Sequence, residues 1–170
     1  IKDDAATARA AATFNAGSDI QINSGGSINV ANNIFQSGGS VFMTAATGIN
    51  NSNYTIKAGT NVVMDATNIN NIHTSTGNGG AETRIEAGNM ASLNATNNIT
   101  NIGATIKAGN LLYMTAGNNI ENKALVDYRI NGQTATESDA LNSNANSITS
   151  SLISQGSLES GGNLILIAGN

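Results

Sequence analysis

The chain has no proline, cysteine or tryptophan and a single histidine, and only 4% of it is aromatic and 11% charged. Each shortage excludes something. Without cysteine there is no disulfide framework, no thiolate metal site and no cysteine nucleophile. An extracellular location stays open, because a large repetitive fold needs no covalent staples. One histidine and a formal net charge of −4 argue against a histidine-rich metal site and against a nucleic-acid binder, which carries a basic face. No apolar run nears the roughly 18 residues of a transmembrane span, and no signal-peptide pattern opens the chain. Globular domains are about 25% charged, so this surface must be built from other groups.

Those groups are amides and hydroxyls. Asn accounts for 28 of the 170 residues, beside 19 Gly and many Ser and Thr. Such a composition suggests disorder, but the spacing of Ile, Leu, Val and Met does not. TIKAG occurs at 55–59 and again at 105–109, with FNAGS (14–18), FQSGG (35–39), RIEAG (84–88) and LESGG (158–162) as variants. Anchored on Gly17, Gly38, Gly59, Gly88, Gly109 and Gly161, the intervals are 21, 21, 29, 21 and 52. The unit is therefore 21 residues, with 29 − 21 = 8 extra once and 52 − 21 = 31 extra once.

Aligned on these glycines, the units form columns. Three before the glycine stand Phe14, Phe35, Ile56, Ile85, Ile106 and Leu158; three after it, Ile20, Val41, Val62, Ala91, Leu112 and Leu164; five after it, Ile22, Met43, Met64, Leu93, Met114 and Leu166. A small-residue column (Ser24, Ala45, Ala66, Ala95, Ala116, Ala168) follows, then Ile28, Ile49, Ile69, Ile99 and Ile120. Ile69 comes one place early, as if its unit had lost a residue. Apolar positions two apart are the period of a strand with one buried face. Gly- and Asn-rich corners separate the runs, where positive φ is expected. Such a unit is too short for a helical repeat. It suits one rung of a parallel β-helix with about three short strands, stacked about 4.8 Å from the next.

An outward column, Asn15, Gln36, Lys57, Glu86, Lys107 and Glu159, alternates in sign over its last four members, which suits in-register stacking. The Asn-rich stretches TGINN (47–51), TNNITN (96–101) and GNNIEN (117–122) occupy equivalent places, where Asn amides can bond to the rung above as in an Asn ladder. A further outward column, Gln21, Phe42, Val63, Ser92, Tyr113 and Ile165, is too apolar for a bare surface.

The first interruption, about 73–81, holds STGNGG and His73 and reads as a surface loop with an exposed histidine. The second, about 123–154, begins with an extended LVDYRI followed by Asn131-Gly132, a tight-turn signal. Beyond it Leu141, Ala145, Ile148 and Leu152 fall on one helical stripe, with Ser138 or Asp139 placed to cap it. Asn and Ser on its other face are poor helix formers, so this short helix, or the extended segment 126–130, is expected to pack on the apolar outward column and cover part of it. Residues 1–13 do not join the columns and read as an irregular or short helical lead-in to the repeat region 14–170.

Catalytic motifs are missing. There is no phosphate-binding loop, zinc spacing, calcium-binding nonapeptide or nucleophile elbow. Asp19, Asp65, Asp127 and Asp139 occur singly rather than as an acid pair. No enzymatic activity, cofactor, metal or nucleic-acid partner is expected.

The units IKAGNLLYMTAGNNIEN (106–122) and LESGGNLILIAGN (158–170) resemble the haemagglutinin repeats of filamentous haemagglutinin and of the long exoproteins that deliver toxins in contact-dependent growth inhibition. The resemblance covers 14–170. It implies an all-β, right-handed parallel β-helix of about six rungs. It also implies two-partner secretion through an outer-membrane transporter of a Gram-negative bacterium, with display at the cell surface. The implied role is a non-catalytic stalk for adhesion or for carrying a C-terminal toxin, with further rungs of the same protein at both ends and a receptor on the target cell. A polysaccharide-binding or -cleaving β-helix domain is the alternative. The candidate partner surface comprises Phe42, Val63, Tyr113, Tyr128, Leu141, Ile148 and Leu152.

Overall fold

A computed structural model describes residues 12–31, 33–74, 82–144 and 147–169. The expected lead-in lies almost wholly outside the described residues, as do the STGNGG stretch and Ala145. In chain order the strands are β1 (Ala12–Ala16), β2 (Ile20–Ser24), β3 (Ser27–Val30), β4 (Asn33–Ser37), β5 (Val41–Ala45), β6 (Gly48–Ser52), β7 (Thr55–Ala58) and β8 (Asn61–Ile72). There follow β9 (Arg84–Ala87), β10 (Met90–Ile102), β11 (Thr105–Ala108), β12 (Leu111–Ala116), β13 (Asn119–Lys123), β14 (Leu125–Ile130) and β15 (Gln133–Ala135). The helix α1 (Glu137–Leu141) precedes β16 (Ile148–Ser154), β17 (Ser157–Ser160) and β18 (Asn163–Ala168).

The protein is all-β, and its two larger sheets are parallel. One runs β1-β4-β7-β9-β11-β17; the other runs β18-β12-β10-β8-β5-β2, with β3, β6 and β13 pairing beside that path. The expected columns are the register of these sheets. Phe14 pairs with Phe35, Phe35 with Ile56, Ile56 with Ile85, Ile85 with Ile106, and Ile106 with Leu158. The Ile20–Leu164 and Ile22–Leu166 columns pair throughout in the same way. The early Ile69 is real: β8 and β10 slip register between Ala95 and Asn98, so β10 carries the extra residue. Pairing begins at Ala12, two residues before the first column position.

Alternation decides what is buried. Along β5 and β8 the column residues Val41, Met43, Val62 and Met64 are fully enclosed, while Phe42, Thr44 and Asp65 point out. Stacking like on like makes the core regular: the Phe14 and Phe35 rings lie parallel with centroids 4.7 Å apart, near the strand spacing itself.

The glycine column has a different cause from the one expected. Among the described residues the left-handed backbone is confined to Asn53, Gly103, Asn131 and Gly132. Gly38, Gly59, Gly88, Gly109 and Gly161 are glycine because each lies against the carbonyl of the glycine before it in the column, where a β-carbon would overlap that oxygen. Backbone bonds tie the same corner together: the Gly59 amide donates to Ser37 O (2.8 Å) and that of Gly109 to Ala87 O (3.0 Å).

A third, antiparallel sheet runs β15-β14-β16. Asn131-Gly132 makes the two-residue turn between β14 and β15, with Ile130 opposite Gln133 and φ of +50° and +81° at the turn, the geometry of a primed hairpin. The helical stripe expected here is corrected. The helix ends at Leu141, and Ile148 and Leu152 lie on β16, paired with Ile130 and Val126. β14 supplies the partner strand that a serine-, threonine- and isoleucine-rich segment prefers to helix. The N-cap is Thr136, not Ser138 or Asp139. Thr136 and Asp139 form a reciprocal capping box, the Thr136 Oγ1 accepting from the Asp139 amide at 3.1 Å. The Asp139 carboxyl is held below its usual range by hydrogen bonds from the Thr136 hydroxyl and amide. The helix rests on β14, with Ala140 buried.

Candidate functional site

The apolar outward column is a continuous row. Gln21, Phe42, Val63, Ser92, Tyr113 and Ile165 are successive register partners across β2, β5, β8, β10, β12 and β18. Phe42 and Ile165 are 37% and 39% exposed, and Val63 and Tyr113 half-buried. Beside it runs a row polar over Asn23, Thr44, Asp65, Asn94 and Thr115 and ending in the apolar Ile167. Asn94 Nδ2 donates to Asp65 Oδ1 (3.0 Å) and Thr115 Oγ1 to Asn94 Oδ1 (2.8 Å), so this row is bonded to itself along the sheet. Phe42, Val63, Thr44 and Asp65 line one shallow hollow between the two rows.

The remaining candidates lie elsewhere. Tyr128, Leu141, Ile148 and Leu152 belong to the antiparallel sheet and its helix. That sheet is anchored at Gly103, eleven residues along the chain from Ser92 in the stripe, where Ser154 Oγ donates to Gly103 O (2.7 Å). The structure therefore divides the candidate surface in two: Phe42, Val63 and Tyr113 on one row, and the other four on the antiparallel unit. Leu141 is 78% exposed, Leu152 56% and Ile148 43%. Tyr128 is half-buried, its hydroxyl reaching Glu137 Oε1 at 3.5 Å.

Both interruptions leave from one edge. Ser52, Ile72, Ile102 and Lys123 are register partners, and the chain turns just after each. After Ser52 and Ile102 it turns at once through left-handed Asn53 and Gly103. After Ile72 and Lys123 it leaves the sheet. His73 is half-buried rather than freely exposed: its amide donates to Ile102 O (2.9 Å) and its Nδ1 lies 3.3 Å from the hydroxyl of buried Thr83.

The largest departure from expectation is the depth of the Asn ladder. Asn51, Asn71 and Asn101 are 1%, 0% and 0% exposed. Asn51 Nδ2 donates to Asn71 Oδ1 (2.8 Å), Asn71 Nδ2 to Asn101 Oδ1 (2.7 Å), and Asn101 Nδ2 to Asn122 Oδ1 (2.7 Å). The same amides reach backbone carbonyls at the corner, Tyr54 O from Asn51 and Ala104 O from Asn101. The column was visible as Asn two places after the Ile49, Ile69, Ile99 and Ile120 positions. An outer ladder runs the other way, Asn70 donating to Asn50 and Asn50 to Asn29, each at 2.8 Å.

The described acids have structural partners. Asp19 caps the Ser40 amide (2.7 Å), Asp127 holds Arg129 (2.8 Å) and Glu121 holds Lys123 (2.9 Å). The charge column is in register, with Lys57 3.6 Å from Glu86 and Lys107 3.0 Å from Glu159, and Arg84 adds a 2.8 Å bond to Glu86. Burial works to raise the Glu86 carboxyl, but the Arg84 hydrogen bond and the charges of Lys57 and Arg84 outweigh it and hold it below the usual value. Glu159 is lowered chiefly by its bond from Lys107. Among the described residues no three His, Cys, Asp or Glu are grouped to hold a metal, and no helix is long and apolar enough to cross a membrane. Comparison of the chain with family models, curated proteins and solved structures finds no match.

Proposed function

We propose that the chain is a segment of a non-catalytic stalk. In this reading the two parallel sheets wind together as a right-handed β-helix of about six 21-residue rungs, a rod about 30 Å long at the usual strand spacing. The interruptions near 73–81 and 123–154 are decorations on its flank. The stalk belongs to a filamentous-haemagglutinin-like exoprotein, secreted through an outer-membrane transporter and displayed on a Gram-negative surface for adhesion or toxin delivery. The observation that carries the reading is the six-deep, in-register stacking of like residues, Phe14 to Leu158 and Ile22 to Leu166. A stack of this kind uses its sequence for length, and its described acids serve in caps, ion pairs and, at Asp65, a hydrogen bond from the Asn94 amide. Leu164 and Leu166 on β18 are 47% and 45% exposed although their column mates from Val41 to Leu112 and from Met43 to Met114 are buried, so further rungs of the same protein are the partner that fits that edge.

Duplicating residues 38–58 tests the architecture. The expected product is soluble, keeps a β-rich circular dichroism spectrum, and is longer by one strand spacing, about 4.8 Å, in solution scattering. Loss of folding would sink the β-helix. For function, the same duplication in the full-length exoprotein should preserve surface display and target-cell contact. Cleavage or retention of a linear polysaccharide by the isolated chain, lost in Asp65→Asn, would instead favour the glycan-acting alternative.

A further inference from the structure

The inner ladder keeps its amides occupied. Asn51, Asn71 and Asn101 are buried, donate from Nδ2 and precede Ser52, Ile72 and Ile102. Asn131 differs on each count. It is exposed, its side chain has no hydrogen-bond partner among the described residues, and it is the one described asparagine followed by glycine. A β-carbon at Gly132 would meet no atom of the described residues within 4 Å. Asparagine is a heat-labile residue, and a following glycine lets the next backbone nitrogen approach the side chain without hindrance.

We propose that Asn131 is a self-modification site: the Gly132 nitrogen attacks its side chain, the residue becomes isoaspartate, and β15 and α1 are released from β14. The Gly132 nitrogen gives up its proton and bonds to Asn131 Cγ. The Cγ–Nδ2 bond breaks, and the side-chain nitrogen leaves with that proton as ammonia. The cyclic imide then adds one water. Opening at Cγ gives aspartate; opening at the main-chain carbonyl gives isoaspartate, whose backbone runs through Cβ and Cγ. Nothing is oxidised or reduced. A closed primed turn restrains this attack, but β15 pairs at only three positions, so the turn opens locally at little cost.

Isoaspartate lengthens the chain between Ile130 and Gln133 by a carbon atom. The two-residue turn that sets those residues opposite each other has no place for it. α1 follows directly after β15 and rests on β14, with Ala140 buried. β16 pairs with the other edge of β14 along its length and stays in place. Tyr128 and Ala135, which share a hollow with Ile102 and Val126, are then uncovered. The change acts on the half of the candidate surface that the antiparallel unit carries, and it adds a negative charge there. The proposal is independent of the stalk reading.

Fresh chain is compared with chain aged by warm incubation in mildly alkaline buffer, with Asn78→Gln in all samples because Asn78 also precedes glycine. Peptide mapping should find the Asn131 peptide at the mass of its aspartyl form, in two separable isomers, one of them a substrate for isoaspartyl methyltransferase. Hydrogen exchange should show the amides of β15 and α1 losing protection with age while those of the parallel sheets keep theirs. Asn131→Gly retains the turn and should show no such change on ageing. Asn131→Asp carries the new charge on an ordinary backbone and should keep β15 paired. An Asn131 peptide that converts no faster than those of Asn23 and Asn142, which precede serine, overturns the proposal. So does conversion that leaves β15 and α1 as protected as in fresh chain, or the same loss of protection in either variant.

Discussion

Val30 and Asn51 are register partners on β3 and β6, both buried, and the Asn51 Oδ1 accepts no hydrogen bond from the described protein. The inner ladder has a direction: each amide donates toward the C-terminal strands, so each carbonyl oxygen is served by the Asn before it. Asn51 is preceded by a valine, and its acceptor is left over. A buried acceptor without a donor costs about 1–3 kcal/mol.

Val30→Thr keeps the shape of the side chain and brings a hydroxyl to that oxygen. Threonine for valine in an apolar core normally costs about 1–3 kcal/mol. Val62, equally enclosed, provides the control. Urea unfolding should show Val62→Thr losing that amount and Val30→Thr within about 1 kcal/mol of the parent, the new hydrogen bond offsetting the hydroxyl's burial. Equal losses at both sites would mean that the Asn51 acceptor is already satisfied.

The two ladders should differ sharply in cost. Asn71 is enclosed, accepts from Asn51 and donates to Asn101 and Thr105 O. Asn71→Ala strands buried partners on both sides and leaves a gap, a loss of about 3 kcal/mol or more. Asn70, one place before it, is half-buried, and its side-chain amide donates to Asn50 on the outer ladder. Asn70→Ala should cost about 1 kcal/mol or less. Comparable melting shifts would show that the inside–outside alternation of β8 has been misassigned.

Gly88 and Gly17 test the steric account of the glycine column. A β-carbon at Gly88 meets the Gly59 carbonyl, whereas one at Gly17 meets no atom of the described residues within 4 Å. Because backbone must move, Gly88→Ala should cost at least the roughly 1–3 kcal/mol of an overpacked site. In a chain of this size each kcal/mol lowers the melting temperature by about 2–4 °C. Gly17→Ala should be neutral or slightly stabilising, because alanine restricts the unfolded chain. If both alanines are tolerated alike, close stacking is not why glycine recurs.

The parallel register was legible in the sequence because a stack puts like beside like, so a vertical column of Ile, Met or Ala is already a list of contacts. Even the slip at Ile69 could be counted. The reason for the glycines was not legible, since positive φ and close approach select the same residue. Nor was the burial of Asn51, Asn71 and Asn101, because an amide column reads the same on either face until the carbonyls around it are placed. The antiparallel unit was misread for a physical cause. Leu141, Ile148 and Leu152 fit a helical period, but the low helix propensity of their Asn and Ser neighbours was the better guide once β14 offered a partner strand. The candidate surface split for the same reason: its stripe on the parallel sheet follows from spacing, whereas the site where the antiparallel unit attaches depends on contacts at Gly103.

Glu86 links the charge column to pH. Its folded carboxyl is held below the ordinary glutamate value. A carboxyl lowered by folding stabilises the protein where it is ionised in both states, above the ordinary value of about 4.3, and loses that contribution as pH falls through the lower folded value. Glu86→Gln removes the charge while keeping size. At pH 7 it should destabilise by about 1 kcal/mol, as expected of a partly exposed ion pair, and less in high salt. Below the folded value both proteins carry a neutral group there, and the difference should close. Glu159, lowered in the same direction by Lys107, titrates in both proteins and cancels from the comparison. The measurement is thermal unfolding of parent and variant from pH 7 down to about 3, below the ordinary carboxylate range. A gap that stays constant over that span would show that Glu86 acts by packing alone and that the alternation of Lys57, Glu86, Lys107 and Glu159 contributes no electrostatic stability.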